Sequence, residues 1–331
     1  WYVGAGVDLA QMNTPVIVNI NGVDVFGFYA FRGGIASNLR IDVGDGDCRI
    51  DDGNPAELIL PSVATNALDC YDPNLPISFT AGTVVGSPGR AGPMYGRVWH
   101  IDADMVVNLG AGGDLQIAGK GWIGKTLDEG YRSRGATPQQ LGARLVVNAG
   151  GITGTMCAGP AQVGGAALDC SGLARAMISA AGLRVVEYSG VAQFKASWST
   201  GQYYFALGTV NNPLAGYVIP AETSGYLIAG YVSDPGVLSP NVTLPAGGIW
   251  VGAGRTFGWS YSDSGTFMTC DWSAWASASF GFGGGFSLQF VPQFSLGANV
   301  TLTGSATAGA SGCGISADVG ASIIATGRFR A

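Results

Sequence analysis

Residues 272–317, WSAWASASFGFGGGFSLQFVPQFSLGANVTLTGSATAGASGCGISA, contain no Asp, Glu, Lys or Arg. Most of the large apolar side chains fall on even-numbered positions, whereas the odd positions carry mostly Ser, Thr, Gln, Asn and Gly. The even-numbered apolar set is Trp272, Ala274, Ala276, Ala278, Phe280, Phe282, Phe286, Leu288, Phe290, Phe294, Leu296, Ala298, Val300 and Leu302. Because successive side chains of a strand point to opposite faces, this period of two predicts strands with one apolar and one small, neutral face. We expect something other than bulk water to meet one or both faces.

Strand patterns recur along the rest of the chain. Residues 16–31, VIVNINGVDVFGFYAF, place two β-rich runs around Asn21–Gly22, the residue pair that favours a type I′ hairpin. Within residues 272–317, Gly283–Gly285 are expected to form a three-residue hairpin turn. About 14 to 17 strands with short links predict an all-β fold, an antiparallel hairpin-rich barrel or sandwich.

A single helix is expected. Residues 167–182, ALDCSGLARAMISAAG, offer Ser171 as a cap and Gly182 as a stop. We therefore divide the chain into N-terminal β hairpins (1–126), a small loop-rich helical insertion (127–182) and C-terminal β hairpins (183–331), with the hairpins forming one continuous β domain.

Six cysteines fall into three pairs that are local in sequence, and none has the tight spacing of a zinc knuckle. The predicted disulfides are Cys48–Cys70, Cys157–Cys170 and Cys270–Cys313, and the alternative is six buried thiols in a cytosolic protein. Disulfides predict an exported protein, because the cytosol keeps thiols reduced. Trp1 fits the first residue left after removal of a signal peptide.

The amino-acid composition restricts the classes of partner that this chain is expected to bind. Charged residues are 11% of the chain, under half of the usual roughly 25%. The net charge is −6 and the three lysines are Lys120, Lys125 and Lys195, which argues against nucleic acid. No run of 18 apolar residues is present, so no membrane-spanning helix is predicted.

Residues 119–126, GKGWIGKT, match the letters of a phosphate-binding loop. That loop works only between a buried parallel strand and a helix, and here the preceding strand alternates while Trp122 and Ile123 are bulky. We predict a strand that contains glycines and does not bind nucleotide.

His100 is the only histidine and shares a strand face with Asp102 and Asp104. Residues two apart on a strand are separated by about 6 to 7 Å, which is wide for one metal ion. We predict a polar strand face here and no catalytic site, and we expect a non-enzymatic protein.

Residues 40–54, RIDVGDGDCRIDDGN, gather aspartates in a glycine-rich loop. The candidate calcium ligands are Asp42, Asp45, Asp47, Asp51 and Asp52. Oxygen ligands on a turning backbone suit calcium, but the spacing fits no standard calcium loop, and a solvated acidic turn is the alternative. No other cofactor is predicted.

Two hypotheses explain the charge-free stretch. An outer-membrane-type β-barrel pore would turn the apolar face to lipid and the small polar face to a lumen. A subunit of a self-assembling extracellular lattice, tube or filament would bury both faces against neighbours. Both imply an exported, homo-oligomeric protein at the outer membrane or cell surface, with a lipid bilayer or copies of itself as partner.

Overall fold

The fold is all-β, with a large antiparallel sheet and no α-helix among the described residues. This computed structural model describes residues 1–43, 50–51, 62–63, 70–89, 94–133, 137–160, 170–180, 183–208, 213–218, 221–232, 248–267, 270–289, 295–313 and 315–330. None of the elements in these ranges is a helix long and apolar enough to cross a membrane.

Nineteen strands are present in the described ranges. They are β1 (Tyr2–Asp8), β2 (Val16–Ile20), β3 (Val23–Ala36), β4 (Ile50–Asp51), β5 (Ser62–Val63), β6 (Ile77–Gly86), β7 (Trp99–Leu109), β8 (Asp114–Ile123), β9 (Leu141–Asn148), β10 (Gly151–Ala158), β11 (Ala176–Ala180), β12 (Leu183–Ser197), β13 (Tyr203–Leu207), β14 (Leu214–Val218), β15 (Ala221–Val232), β16 (Gly248–Phe267), β17 (Cys270–Gln289), β18 (Ser295–Gly312) and β19 (Ile315–Arg330). Strands β4 and β5 form a separate two-stranded ribbon.

The first hairpin turns at two residues that readily adopt positive φ. Asn21 and Gly22 both have positive φ, 51° and 84°, as a type I′ turn requires. The Asn19 side chain accepts a hydrogen bond from the Gly22 N–H at 2.9 Å. The predicted hairpin at Asn21–Gly22 is therefore confirmed, and it joins β2 to β3.

The chain divides into two compact units: an N-terminal unit of residues 1–176 and 194–201, and a C-terminal unit of residues 177–193 and 202–331. In the N-terminal unit, β1 and β2 pair with successive parts of β3. From there the strands follow chain order, with β3, β6, β7, β8, β9 and β10 each antiparallel to the next.

The core of the N-terminal unit lies on one face of its sheet. One buried cluster joins Tyr29 and Trp122 to residues from the loops that follow β1, β6 and β8. A second packs Ile41 and Val43 against Ala36 and Val106. Loops of the same unit thus cover this face.

In the C-terminal unit, β15 to β19 form an antiparallel meander. Strands β13 and β14 pair with successive parts of β15, and β12 pairs with β14. Strands β16 and β17 are each 20 residues long. The alternation predicted for residues 272–317 is thus carried by β17, β18 and the start of β19.

The predicted helical insertion is wrong. Residues 171–172 lie in a turn, residues 173–175 have no regular secondary structure, and Ala176–Ala180 is strand β11. Strands β9 and β10 also lie within 127–182 and form a hairpin of the N-terminal sheet. The cap at Ser171 and the stop at Gly182 are local signals, and local preferences for a helix are weak and readily overridden in the folded chain.

The turn expected at Gly283–Gly285 is also wrong, because β17 continues through it with all three glycines paired to β16 and β18. A Cβ added at Gly254, which pairs with Gly283, would collide with the Tyr226 ring. Glycines here make room for an aromatic ring lying across the strands.

Cys157 and Cys170 form a disulfide, with their Cα atoms 6.2 Å apart. Cys70 and Cys313 are also disulfide-bonded. The partners predicted for them lie outside what the structure describes, because Cys48 is outside the described residues and the Cys270 side chain is not described. The pairings Cys48–Cys70 and Cys270–Cys313 stay predictions.

Candidate functional site

The N-terminal unit has an exposed sheet face that is almost entirely apolar, which we call the apolar face. Strand registers align three rows of side chains across β1, β3 and β6 to β10. The rows are Val3, Ile35, Phe79, Val107, Leu115, Val147 and Ile152; Ala5, Gly33, Ala81, Met105, Ile117, Leu145 and Gly154; and Val7, Phe31, Thr83, Ala103, Gly119, Ala143 and Met156. They contain no charged residue, and Thr83 is their one polar member.

Large side chains on the apolar face are open to solvent. Phe79 is 43% exposed and Val3 is 62% exposed. Seven adjacent strands span about 29 Å at the usual strand spacing. Isolated exposed apolar residues are normal, but a contiguous apolar surface marks a place where lipid, a ligand or another protein binds.

The alternate residues of the same strands form the opposite side, which we call the polar face. From β6 to β8 it carries Ser78, Thr80, His100, Asp102, Asp104, Asn108, Asp114, Gln116 and Lys120, beside Val84 and Val106. Most of these polar side chains are buried. A soluble sheet normally buries its apolar residues and exposes its polar ones, so the arrangement is reversed.

A buried ion cluster stands at the centre of the polar face. Arg32 Nη2 lies 2.5 Å from Asp102 Oδ1, and Arg32 Nε donates to Asp104 Oδ1 at 2.7 Å. The side chains of Arg32 and Asp102 are each only 4% exposed. Gly82 on β6 lies between Arg32 and Asp104 in the sheet, and a Cβ there would collide with Arg32 Nε and Asp104 Oδ1.

Residues 38–43, which we call the strap, lie against the polar face through backbone hydrogen bonds. The Ile41 N–H donates to Asn108 Oδ1 at 3.2 Å, and Asn108 Nδ2 donates back to the Ile41 carbonyl at 2.8 Å. The Ser78 hydroxyl donates to the Leu39 carbonyl at 2.8 Å. Polar strand residues thus satisfy the backbone of a covering segment.

The loop after β8 closes over the same face. Arg132 Nη2 donates to Asp8 Oδ2 at 2.8 Å. Burial raises the pKa of the neighbouring Tyr131 to about 12. At the loop's exposed start, the N–H and hydroxyl of Thr126 donate to the Glu129 carboxylate, which lowers the pKa of Glu129.

His100 is fully buried and stacks on Trp122, with ring centroids 5.1 Å apart. The Tyr131 N–H donates to His100 Nε2 at 3.2 Å, so Nδ1 carries the proton and donates to the Gly96 carbonyl at 3.1 Å. Both ring nitrogens are therefore engaged by backbone groups. The sequence placed His100 with Asp102 and Asp104 on one strand face, and the structure keeps them there, with the two carboxylates bound to Arg32.

The phosphate-loop motif lies mostly in β8. Gly119–Ile123 are strand residues, and β8 lies between the antiparallel strands β7 and β9. Thr126, which would hold magnesium in such a loop, bonds to Glu129 instead. The backbone does not form the cradle that phosphates require.

Of the five candidate calcium ligands, Asp42 has a described side chain. Its Oδ1 accepts a hydrogen bond from Gln116 Nε2 at 2.6 Å and lies 3.5 Å from Arg40 Nε. Asp45, Asp47 and Asp52 lie outside the described residues, and the Asp51 side chain is not described. Within the described ranges, no group of three or more His, Cys, Asp or Glu residues is placed to hold a metal ion.

The C-terminal unit also has a mostly apolar and a mostly polar sheet face, with Arg255 and Asp263 of β16 on the mostly apolar side. Even residues of β17 and β18 align with odd residues of β16 and β19, so that Phe257, Phe280, Gly304 and Ile323 form one apolar row. On the other side lies what we call the Ser/Thr face, where hydroxyls pair across β17 and β18. Ser277 lies 2.6 Å from Thr307, Ser279 lies 2.7 Å from Ser305, and Ser273 lies 2.8 Å from Ser311, each measured between side-chain oxygens.

Sequence reasoning found this second alternation and missed the apolar face of the N-terminal unit. The information was present, because odd positions from Ile77 to Val85 and from Ile101 to Leu109 are nearly all apolar. Asp102 and Asp104 lie on the opposite, polar side of the same strand.

Comparison with protein-family models, with curated proteins and with solved structures gives no match for this chain.

Proposed function

We propose that this chain is an exported outer-membrane-type β-barrel protein that lines a pore, with its apolar sheet faces turned to lipid. The observation that carries the proposal is the reversed alternation of the N-terminal unit. The exposed apolar rows lie on one side of the sheet. The other side of the same strands is buried and holds charged and amide side chains. Transmembrane barrels alternate in this way, with apolar side chains toward the acyl chains and polar ones toward the interior.

Strand length supports the same proposal. Strands β6, β7 and β8 are 10, 11 and 10 residues long. A tilted transmembrane strand needs about 9 to 11 residues. Backbone groups along these strands pair with neighbours on both sides, which a strand in hydrocarbon requires because no water is there to satisfy them.

In the C-terminal unit, we assign the Ser/Thr face to the aqueous pore. Hydroxyls are small and neutral and can exchange hydrogen bonds with passing water. The apolar row that contains Phe257 and Phe280 would meet lipid. The proposal includes no catalytic step, since the ion cluster and His100 are bound by groups of the protein itself.

Two exposed methionines give a matched test of lipid contact. Met105 lies mid-strand on the apolar face and is 37% exposed, whereas Met12 lies in the turn after β1 and is 56% exposed. Met105→Arg should cost about 2 to 4 kcal/mol of stability in a bilayer if this position lies at mid-membrane depth. Met12→Arg should change stability by less than about 0.5 kcal/mol.

The measurement is denaturant unfolding of protein reconstituted in liposomes, after flotation has separated inserted from free protein. Wild type and Met12→Arg should float with the vesicles, and Met105→Arg should float less and unfold earlier. If both variants behave like wild type, or if wild type stays soluble without detergent as a monomer, the lipid-facing assignment is wrong.

A second candidate is a subunit of an extracellular lattice, tube or filament. The observation that favours it is the length of β16 to β18, which have 20, 20 and 18 residues. At the usual rise such strands span about 60 to 66 Å, roughly twice the hydrocarbon thickness of a bilayer. Protein that sheds as large particles and does not float with vesicles would select this function over the barrel.

A further inference from the structure

A groove of about 400 Å³ lies in the C-terminal unit, where β14 and β15 each carry a glycine. In the sheet, Gly216 lies between Tyr188 and Thr223, and Gly225 lies beside Arg255. A Cβ added at Gly216 would come no closer than 3.8 Å to Thr223 or Tyr188, so the space beside this glycine is open. Most of the residues that line the groove belong to the mostly apolar side of the sheet, among them Leu207, Leu214 and Leu227.

Arg255 is the one charged residue among the described residues that line this groove, which we call the Arg255 groove. Its side chain is exposed, and its guanidinium carbon lies 4.4 Å from the centre of the Phe257 ring. Its Nε donates a long hydrogen bond of 3.4 Å to Thr223 Oγ1. In the part of the chain that the structure describes, Arg255 makes no ion pair. Arginine has five N–H donors, so most of those of Arg255 are open to an anion from outside the protein.

The order of side chains along β16 places Arg255 at a change in chemistry. On its side of the strand, the residues before it are the aliphatic Ile249, Val251 and Ala253. After it, beyond Phe257, come Trp259 and Tyr261, whose exposed rings stack with centroids 6.4 Å apart. Trp and Tyr are enriched at the headgroup level of membranes, and long basic side chains reach toward that level. The Arg255 guanidinium lies over Phe257, the residue between it and Trp259 on this side, so its charge is placed where lipid phosphates would lie.

We propose that the Arg255 groove binds one phospholipid, with the phosphate on Arg255 and part of an acyl chain against the leucines. The paired N–H groups of a guanidinium match the oxygens of a phosphate, and the apolar lining favours a hydrocarbon chain. A free phosphate would leave the apolar lining in water, and an uncharged lipid would leave the guanidinium without an anion. The site rests on the lipid contact proposed for this side of the sheet.

Three probes separate the phosphate from the acyl chains. Delipidated full-length protein in detergent is titrated with dioleoyl phosphatidylglycerol, with glycerol phosphate, which lacks the chains, and with dioleoylglycerol, which lacks the phosphate. Native mass spectrometry counts the bound molecules. Wild type should retain one phosphatidylglycerol and should bind each of the other two probes at least about tenfold more weakly, because each makes only part of the contacts.

Two variants remove the two halves of the site separately. Arg255→Gln should weaken phosphatidylglycerol binding about tenfold, because the phosphate loses its cation. Gly216→Val keeps Arg255 and should also weaken binding, because its Cβ fits between Tyr188 and Thr223 and its methyl groups occupy the groove. Arg97→Gln is the control for the loss of one exposed Arg, since Arg97 lies in the N-terminal unit, and it should bind like wild type. Circular dichroism like that of wild type shows that each variant is folded.

Unchanged phosphatidylglycerol binding in folded Arg255→Gln or folded Gly216→Val would overturn the proposal. Equal binding of glycerol phosphate or of dioleoylglycerol by wild type would overturn it as well, because the site would then need only one half of a phospholipid. The titration in detergent is independent of vesicle flotation. Wild type that floats with vesicles and retains no phosphatidylglycerol contradicts the lipid site alone, whereas wild type that retains it and does not float contradicts the barrel alone.

Discussion

Removing the cation of the buried ion cluster should destabilise the N-terminal unit more than any exposed charge change. In Arg32→Met, the Asp102 carboxylate would stay 4% exposed without its counter-ion at 2.5 Å, and Asp104 would lose its 2.7 Å hydrogen bond. Breaking a buried pair in this way costs about 3 to 5 kcal/mol. Within the described residues Arg32 Nη1 is buried without a hydrogen-bond partner, which places the expected cost near the lower end of that range.

The assay is equilibrium urea unfolding followed by tryptophan fluorescence in one detergent. Arg97→Met is the control, because Arg97 is exposed, and it should change stability by less than about 0.5 kcal/mol. The triple variant Arg32→Met, Asp102→Asn, Asp104→Asn removes the uncompensated charges and should recover more than half of the loss. A cost below about 1 kcal/mol for Arg32→Met would refute the view that this cluster is shielded from water.

Two further predictions use matched substitutions. Gly82→Ala should destabilise the protein by about 1 to 3 kcal/mol, because the added methyl collides with the ion cluster. Gly119→Ala should be tolerated in the same urea titration, because the atom nearest to its added methyl would be 3.6 Å away. In planar bilayers, Ser279→Asp on the Ser/Thr face should shift the reversal potential toward cation selectivity, whereas Phe280→Asp on the apolar face should reduce insertion. Equal selectivity changes in both variants would argue against a pore lined by the Ser/Thr face.

Local chemistry was sufficient to predict several features. The hairpin at Asn21–Gly22 follows from two residues that tolerate positive φ, and the strand character of residues 272–289 and 295–312 follows from a period of two. Both depend on neighbours along the chain. The helix expected in 167–182 failed for the same reason, because its cap and stop signals were local, and Ala176–Ala180 is a strand in the folded chain.

Composition and alternation were enough to predict an all-β chain, poor in charge, whose strands have one apolar and one polar face. The tertiary structure alone decided that Arg32 meets Asp102, 70 residues away, and that the polar face of the N-terminal unit is buried while its apolar face is exposed. The physical reason is that alternation assigns side chains to two faces without saying which one is covered. That depends on where the strap and the loop after β8 pack, and such contacts arise only when residues far apart in the sequence come together.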